Sequence, residues 1–177
     1  MPYLIVIYGA PLTGKSSLAR EVAGALDGKA AVVSTDALLE DAIRVHDRDV
    51  YAELEMVHIQ ARLLVANYLK NRYHVVLEGS FCHEQDGVLH QREQEIDQTL
   101  ALMRNIALPP LLVRLSASPE TLRERVEASA RPRGFDVAQR IDAAYKQRHG
   151  SRSLVLSTDE RPVPELAADV LGRLQAG

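Results

Sequence analysis

The chain has 177 residues, 46% hydrophobic and 25% charged, with a net charge of −3; this fits one domain able to bury roughly 70% of its unfolded surface. No stretch approaches the roughly 18 uninterrupted apolar residues of a membrane span, and the acidic balance argues against general nucleic-acid affinity. A single cysteine, Cys82, excludes an internal disulfide framework and agrees with a reducing compartment. The opening "MPYLIVIYGAP" lacks a basic segment and a small-residue cleavage site, so it reads as a strand and not a signal peptide. The expectation is a cytoplasmic single-domain protein spanning 1–177.

Five short runs rich in Val, Ile and Leu occur in chain order: 3–8, 30–34, 74–78, 111–115 and 153–157. They are nearly continuous rather than alternating, as in strands covered on both faces. Helical spacing fills the intervals. Lys15 to Leu26 stops near Gly28. Glu53 to Leu69 lines up Leu54, Val57, Ala61, Leu64, Val65 and Tyr68 on one face. Val88 to Met103 reads as a more polar helix. "SPETLRERVEAS" opens with Ser118 as cap and Pro119 at the first helical position. "DVAQRIDAAYKQR" and "VPELAADVLGRL" complete the series. Alternating strands and helices imply parallel pairing through right-handed crossovers, hence a three-layer α/β/α domain around a five-stranded parallel sheet. The least regular segment, 128–137, contains Pro132 and Gly134 and is expected to form a small arginine-bearing lid.

Residues 9 to 16 match G-x-x-x-x-G-K-[ST] in full, through Gly9, Gly14, Lys15 and Ser16, with a strand before and a helix after. Glycines let successive N–H groups turn inward toward phosphate oxygens. The following helix adds about half a positive charge at its N-terminus. Lys15 can reach the β- and γ-phosphates and the Ser16 hydroxyl can bind Mg²⁺. The stretch Gly9, Ala10, Pro11, Leu12, Thr13, Gly14, Lys15, Ser16 and Ser17 therefore reads as a nucleoside triphosphate site.

Other segments decide how the triphosphate is used. The Asp-x-x-Gly of a switch GTPase occurs only as "DVLG" inside the last helix, and no Asn/Thr-Lys-x-Asp base reader occurs. The third strand ends "VVLEGS", a single acid, where an AAA motor or transporter would usually carry Asp-Glu. What remains, "GAPLTGKSS", "VVSTDALLEDA", "VVLEGS", "SPETLRERVEASARPR" and the tail "LVLSTDERPVPELAADVL", resembles the small P-loop kinases. That group includes polynucleotide kinase, gluconate kinase and adenylate-kinase-like enzymes. The resemblance implies a P-loop NTPase fold, ATP as phosphate donor and Mg²⁺ held by Ser16 and Glu78. It implies a catalytic base at Asp36, whose strand would lie beside the phosphate-loop strand. It also implies lid arginines closing over the triphosphate: Arg131 and Arg133 flanking Pro132, with Arg125 third.

On that reading the chain is an ATP-dependent phosphotransferase acting on a hydroxyl of a small molecule. One alternative is a 5′-hydroxyl nucleic-acid or nucleotide kinase, disfavoured by the acidic charge and few aromatic residues. Another is a nucleotide-binding regulator without catalysis, for which Asp36 and the lid arginines would be superfluous. Asp36 could instead cap a helix, as could Ser34 or Thr35. Glu78 could simply pair with a nearby base, and Arg125 with a helical Glu. "FCHE" (81–84) lacks the spacing of a zinc site and, coming after the third strand, points to the acceptor pocket.

Overall fold

The structure, a computed structural model, describes residues 1–42, 50–129, 134–148 and 153–176. In chain order the elements are β1 (Leu4–Gly9), α1 (Lys15–Ala25), β2 (Ala30–Ser34) and a single helical turn α2 (Thr35–Ala37) that runs into a π-turn (Leu38–Ala42). They continue with α3 (Val50–Lys70), β3 (His74–Gly79), β4 (Cys82–Gln85), β5 (Val88–Gln91), α4 (Gln94–Met103) and β6 (Leu111–Ser116). α5 (Pro119–Glu127), α6 (Phe135–Arg148), β7 (Leu154–Ser157) and α7 (Val163–Gln175) complete the chain.

Five strands form one all-parallel sheet in the order β2-β3-β1-β6-β7. β1 lies at its centre with all six residues buried. Because side chains alternate across a strand, Leu4, Val6 and Tyr8 pack with Ala61 and Val65 of α3, Ile96 of α4 and Ile141 and Tyr145 of α6. Ile5 and Ile7 face the other way, onto Leu18 and Val22 of α1 and Leu166 and Val170 of α7. Each such large side chain contributes about 1.5–3 kcal/mol of transfer energy. The three layers and the five parallel strands are those the sequence predicts.

Two expectations need correction. The segment from Val88 is not helical at its start: β4 and β5 form an antiparallel hairpin with Gln85 opposite Val88, and the helix begins only at Gln94. The turn residues explain this. Asp86 and Gly87 both take positive φ (52° and 81°), the conformation that Asp-Gly favours in a two-residue hairpin loop. Arg140 of α6 clasps the tip by donating to Gly87 O at 2.7 Å. Second, β2 is not next to β1: β3 lies between them, with Ser34 paired to Glu78 and Ile7 to Glu78 on the other side. The acid nearest the phosphate-loop strand is therefore Glu78, and Asp36 stands one strand further out.

Of the expected lid, residues 130–133 lie outside the described part, including Arg131 and Arg133. Its end at 135–137 is already the first turn of α6. No helix among the described residues is long and apolar enough to cross a membrane.

Candidate active site

The turn from β1 into α1 is shaped by three backbone constraints. An added Cβ on Gly9 would lie 2.5 Å from Leu115 O, so the loop crosses β6 only because that position has no side chain. Gly14, immediately before α1, is left-handed (φ 90°, ψ 17°). Leu12 is also left-handed, with φ 64°, at a cost of roughly 1–2 kcal/mol for a residue with a side chain. That conformation is held from outside, because Arg125 Nη1 donates to Leu12 O at 3.0 Å. Within the loop, Thr13 Oγ1 and Lys15 Nζ both donate to Ala10 O, at 2.8 and 3.1 Å. The Lys15 ammonium is nearly fully buried and crosses the mouth of the loop, where a phosphate chain would meet it.

A pocket of about 260 Å³ opens above this loop, lined by Leu12, Lys15, Ser16, Ser17, Asp36 and Ser129 among others. Asp36 reaches it from the turn after β2. The capping role is taken by Ser34, whose Oγ accepts from Ala37 N at 3.1 Å, which leaves the Asp36 carboxylate to face the pocket. α2 lies unusually close to β3. A Cβ on Gly79 would fall 1.8 Å from Thr35 Oγ1, so the missing side chain is what lets the turn carrying Asp36 settle there.

Glu78, at the end of β3, is 1% exposed. Its Oε1 accepts from Ser16 Oγ at 3.1 Å, and its Oε2 is buried without a hydrogen-bond partner. An unsatisfied buried oxygen of this kind is costly, about 1–3 kcal/mol and more for a charged group. A hydroxyl beside a carboxylate, facing a phosphate loop, is a donor set suited to Mg²⁺, which keeps most of its waters and takes one or two protein ligands plus phosphate oxygens. Among the described residues no group of three or more His, Cys, Asp or Glu could hold a metal alone. "FCHE" behaves accordingly: Phe81 and Cys82 are core residues, and burial, with Glu93 nearby, pushes the Cys82 thiol up to about 11.

Among the described residues, no ion pair joins Arg125 to a Glu of its own helix. Besides Leu12 O, its guanidinium donates to Thr158 Oγ1 at 3.0 Å and Thr158 O at 2.9 Å, bridging the phosphate loop and the loop after β7. Beside it lies a second pocket, of about 230 Å³, lined by Gly14, Ser17, Arg125, Thr158, Arg161 and Val163 among others. The two pockets adjoin at Leu12, Gly14 and Ser17, as a phosphate chain and its nucleoside would require. Asp159 secures the loop: its carboxylate accepts from Ser118 N at 2.8 and 3.1 Å and from Ser157 Oγ at 2.8 Å. Burial works against its charge, but these donors and Thr121 outweigh it and hold the carboxyl near 2.

Around Phe81, just after β3, the sequence reading missed a polar wall. His58 of α3 is 3% exposed, stacks on Phe81 with ring centroids 5.4 Å apart, and has no partner for Nε2. Burial, then the charges of Arg92, His83 and Arg62, lower its pKa to about 3 against the opposing pull of Asp36. The available signal was a histidine at helical spacing inside the apolar face of α3, between Leu54 and Ala61. Tyr145 of α6 supports the wall from behind by accepting from Phe81 N at 2.9 Å.

No curated protein matches the sequence. Solved structures similar to it include a gluconokinase from Sinorhizobium meliloti, 20% identical, covering 98% of this chain and 93% of that one with a TM-score of 0.62. The tunicamycin resistance protein of Deinococcus radiodurans is 11% identical over 98% and 96% of the two chains, with a TM-score of 0.66. Shikimate kinase from Acinetobacter baumannii, in complex with shikimate, is 14% identical over 99% and 94%, with a TM-score of 0.62. At these identities the likeness is one of fold. Residues 4–151 match the family AAA_33, described as an AAA domain, although β3 ends in the single acid Glu78 and not in the Asp-Glu pair usual in an AAA motor. With its phosphate loop, its parallel sheet and this match over most of its length, the chain belongs to that family of P-loop kinases.

Proposed function

We propose that this protein is an ATP-dependent kinase that transfers a phosphoryl group to a hydroxyl of a small molecule, working as one domain over residues 1–177. The observation that carries the reading is that Lys15, Ser16 and Asp36 line one pocket, with the buried Glu78 carboxylate bonded to Ser16. A protein that only bound nucleotide would not need a second carboxylate facing the phosphate loop.

Residues 9–17 would hold the triphosphate through loop N–H groups and the N-terminus of α1. Lys15 would leave Ala10 O for the β- and γ-phosphates. Ser16 and Glu78 would hold Mg²⁺, which when bound supplies neutralising charge on the phosphates. Asp36 would accept the proton of the acceptor hydroxyl as the oxygen attacks phosphorus, a role worth about 10²–10⁴ in rate. Arg125 already orders the loop and is proposed to flank the nucleotide. Arg131 and Arg133, on the lid, are proposed to stabilise the transferring group, a contribution of about 10³–10⁵ for a well-placed arginine. Closing the lid would keep water from competing as acceptor. A cytoplasmic location suits the substrate ATP and the single buried thiol.

The test is coupled ADP release with a panel of hydroxyl acceptors. Asp36→Asn should bind ADP as the wild type does and lose about 10²-fold or more in turnover. Full turnover on the best acceptor would remove Asp36 from the base role. Absence of transfer to any acceptor would favour the regulator instead.

A further inference from the structure

The polar wall around His58 gathers buried charges and donors. Arg62, one turn after His58 on α3, is ion-paired with Glu95 of α4, which is 6% exposed. Arg92, in the connection between β5 and α4, approaches the other oxygen of the same carboxylate at 3.8 Å. Two guanidiniums thus share one carboxylate, and Arg92 Nε is buried with no hydrogen-bond partner. The neighbouring Glu93, 4% exposed, acts with its charge on Tyr8, Cys82 and Tyr145.

Arg92 and His58 belong to one assembly. Arg92 N donates to Phe81 O at 2.8 Å, and Phe81 is the residue on which His58 stacks. Phe81 follows Gly79, against which Thr35 and the turn bearing Asp36 are packed. Two buried nitrogens without hydrogen-bond partners therefore belong to one cluster, one on a cation and one on an imidazole that feels the charge of Asp36. A buried donor left without a partner is costly, and the oxygens of a bound anion would supply one.

We propose that Arg92 and His58 are the acceptor-recognition residues, and that the acceptor is a hydroxy compound bearing an anionic group, a carboxylate or a phosphate. Arg92 pairs with the anion, His58 Nε2 hydrogen-bonds a further polar group of the ligand, and the reacting hydroxyl is left toward Asp36. A neutral imidazole adds no second charge, so binding needs one anion only. The inference takes the word acceptor from the kinase reading, but recognition of the anion stands on its own.

Calorimetric titration in the presence of ADP and Mg²⁺ tests it. The probes are glycerate, gluconate and shikimate as carboxylates, glycerol 3-phosphate and glucose 6-phosphate as phosphates, and glycerol and glucose as neutral counterparts. Anionic probes of one of the two kinds should bind at least 10-fold tighter than the neutral ones, and the tighter arm identifies the group. Arg92→Gln should abolish that preference, Arg92→Lys should restore part of it, and His58→Phe, which keeps the stack on Phe81, should weaken the preferred probe about 10-fold. ADP affinity should stay within about 2-fold throughout. Neutral probes binding as well as charged ones, no anionic probe binding, or a preference that survives Arg92→Gln would each overturn the inference. Phosphoryl transfer to a neutral polyol, unchanged in Arg92→Gln, would overturn it and leave the kinase reading intact. Anion binding lost in Arg92→Gln, with no transfer from ATP to any probe, would support the site and end the kinase reading.

Discussion

His58 makes folding stability depend on pH in a way that one substitution isolates. Its pKa is about 3 in the folded chain against 6.5 for an ordinary histidine, because burial and then Arg92, His83 and Arg62 oppose its charge. The folded pKa is the lower one, so the unfolded chain binds the extra proton between pH 6.5 and about 3. The neutral ring's contribution is complete above pH 6.5 and is lost progressively as the pH falls through that window. Each pH unit there costs about 1.4 kcal/mol, so wild type should lose about 2 kcal/mol between pH 7 and pH 5 from this residue alone. For a chain of this size that is roughly 4–8 °C in melting temperature. His58→Phe fills nearly the same space against Phe81 and does not titrate, so subtracting its curve cancels the other groups. Urea unfolding of both proteins at pH 8, 7, 6 and 5 reads the difference. Stabilities that run parallel from pH 8 to 5 would refute the neutral, buried imidazole, as would a His58 ring resonance that titrates near 6.5.

Glu78→Gln keeps the shape but removes the charge beside Ser16; the Mg²⁺ concentration for half-maximal transfer should rise at least about 10-fold, with ADP affinity little changed. Gly79→Ala must push Thr35 Oγ1 from 1.8 Å to at least 3.0 Å from the new methyl, and should cost about 1–3 kcal/mol in denaturant unfolding. It should also cost about 10² in turnover through the displaced Asp36, and Thr35→Ala in the same chain should recover part of both. Asp159→Asn weakens the bonds to Ser118 N and Ser157 Oγ and should cost about 1 kcal/mol at pH 7. Since the Asp159 carboxyl is held near 2, below the ordinary 3.8, its stabilisation is present above pH 3.8 and fades as the pH falls toward 2. The two acid-unfolding curves should therefore converge there.

The layers were legible because each central strand is an apolar run buried on both faces, and β1 carries that signal in all six residues. The phosphate loop was legible because its chemistry demands glycines and Lys15 at fixed spacing. The hairpin was missed although Asp86-Gly87 announces it, because the helical pattern from Gln94 was extended backward over β5. Strand order was misjudged because short apolar runs carry no record of which neighbour they pair with. His58 and Arg92 were missed for a different reason. A histidine on an apolar helix face looks like an accident until the fold brings Phe81 to it, and Arg92 looks like a loop charge until Glu95 also meets Arg62 of α3.

The sheet order also bears on how two substrates would meet. Thr158 and Arg161 follow β7 at one margin, Asp36 follows β2 at the other, and Glu78 and the phosphate loop stand between them. A nucleoside lying by Thr158 and an acceptor lying by Asp36 would therefore stand on opposite sides of the phosphate loop. The sheet thus keeps the two substrates of the proposed reaction apart except where the phosphate loop brings them together.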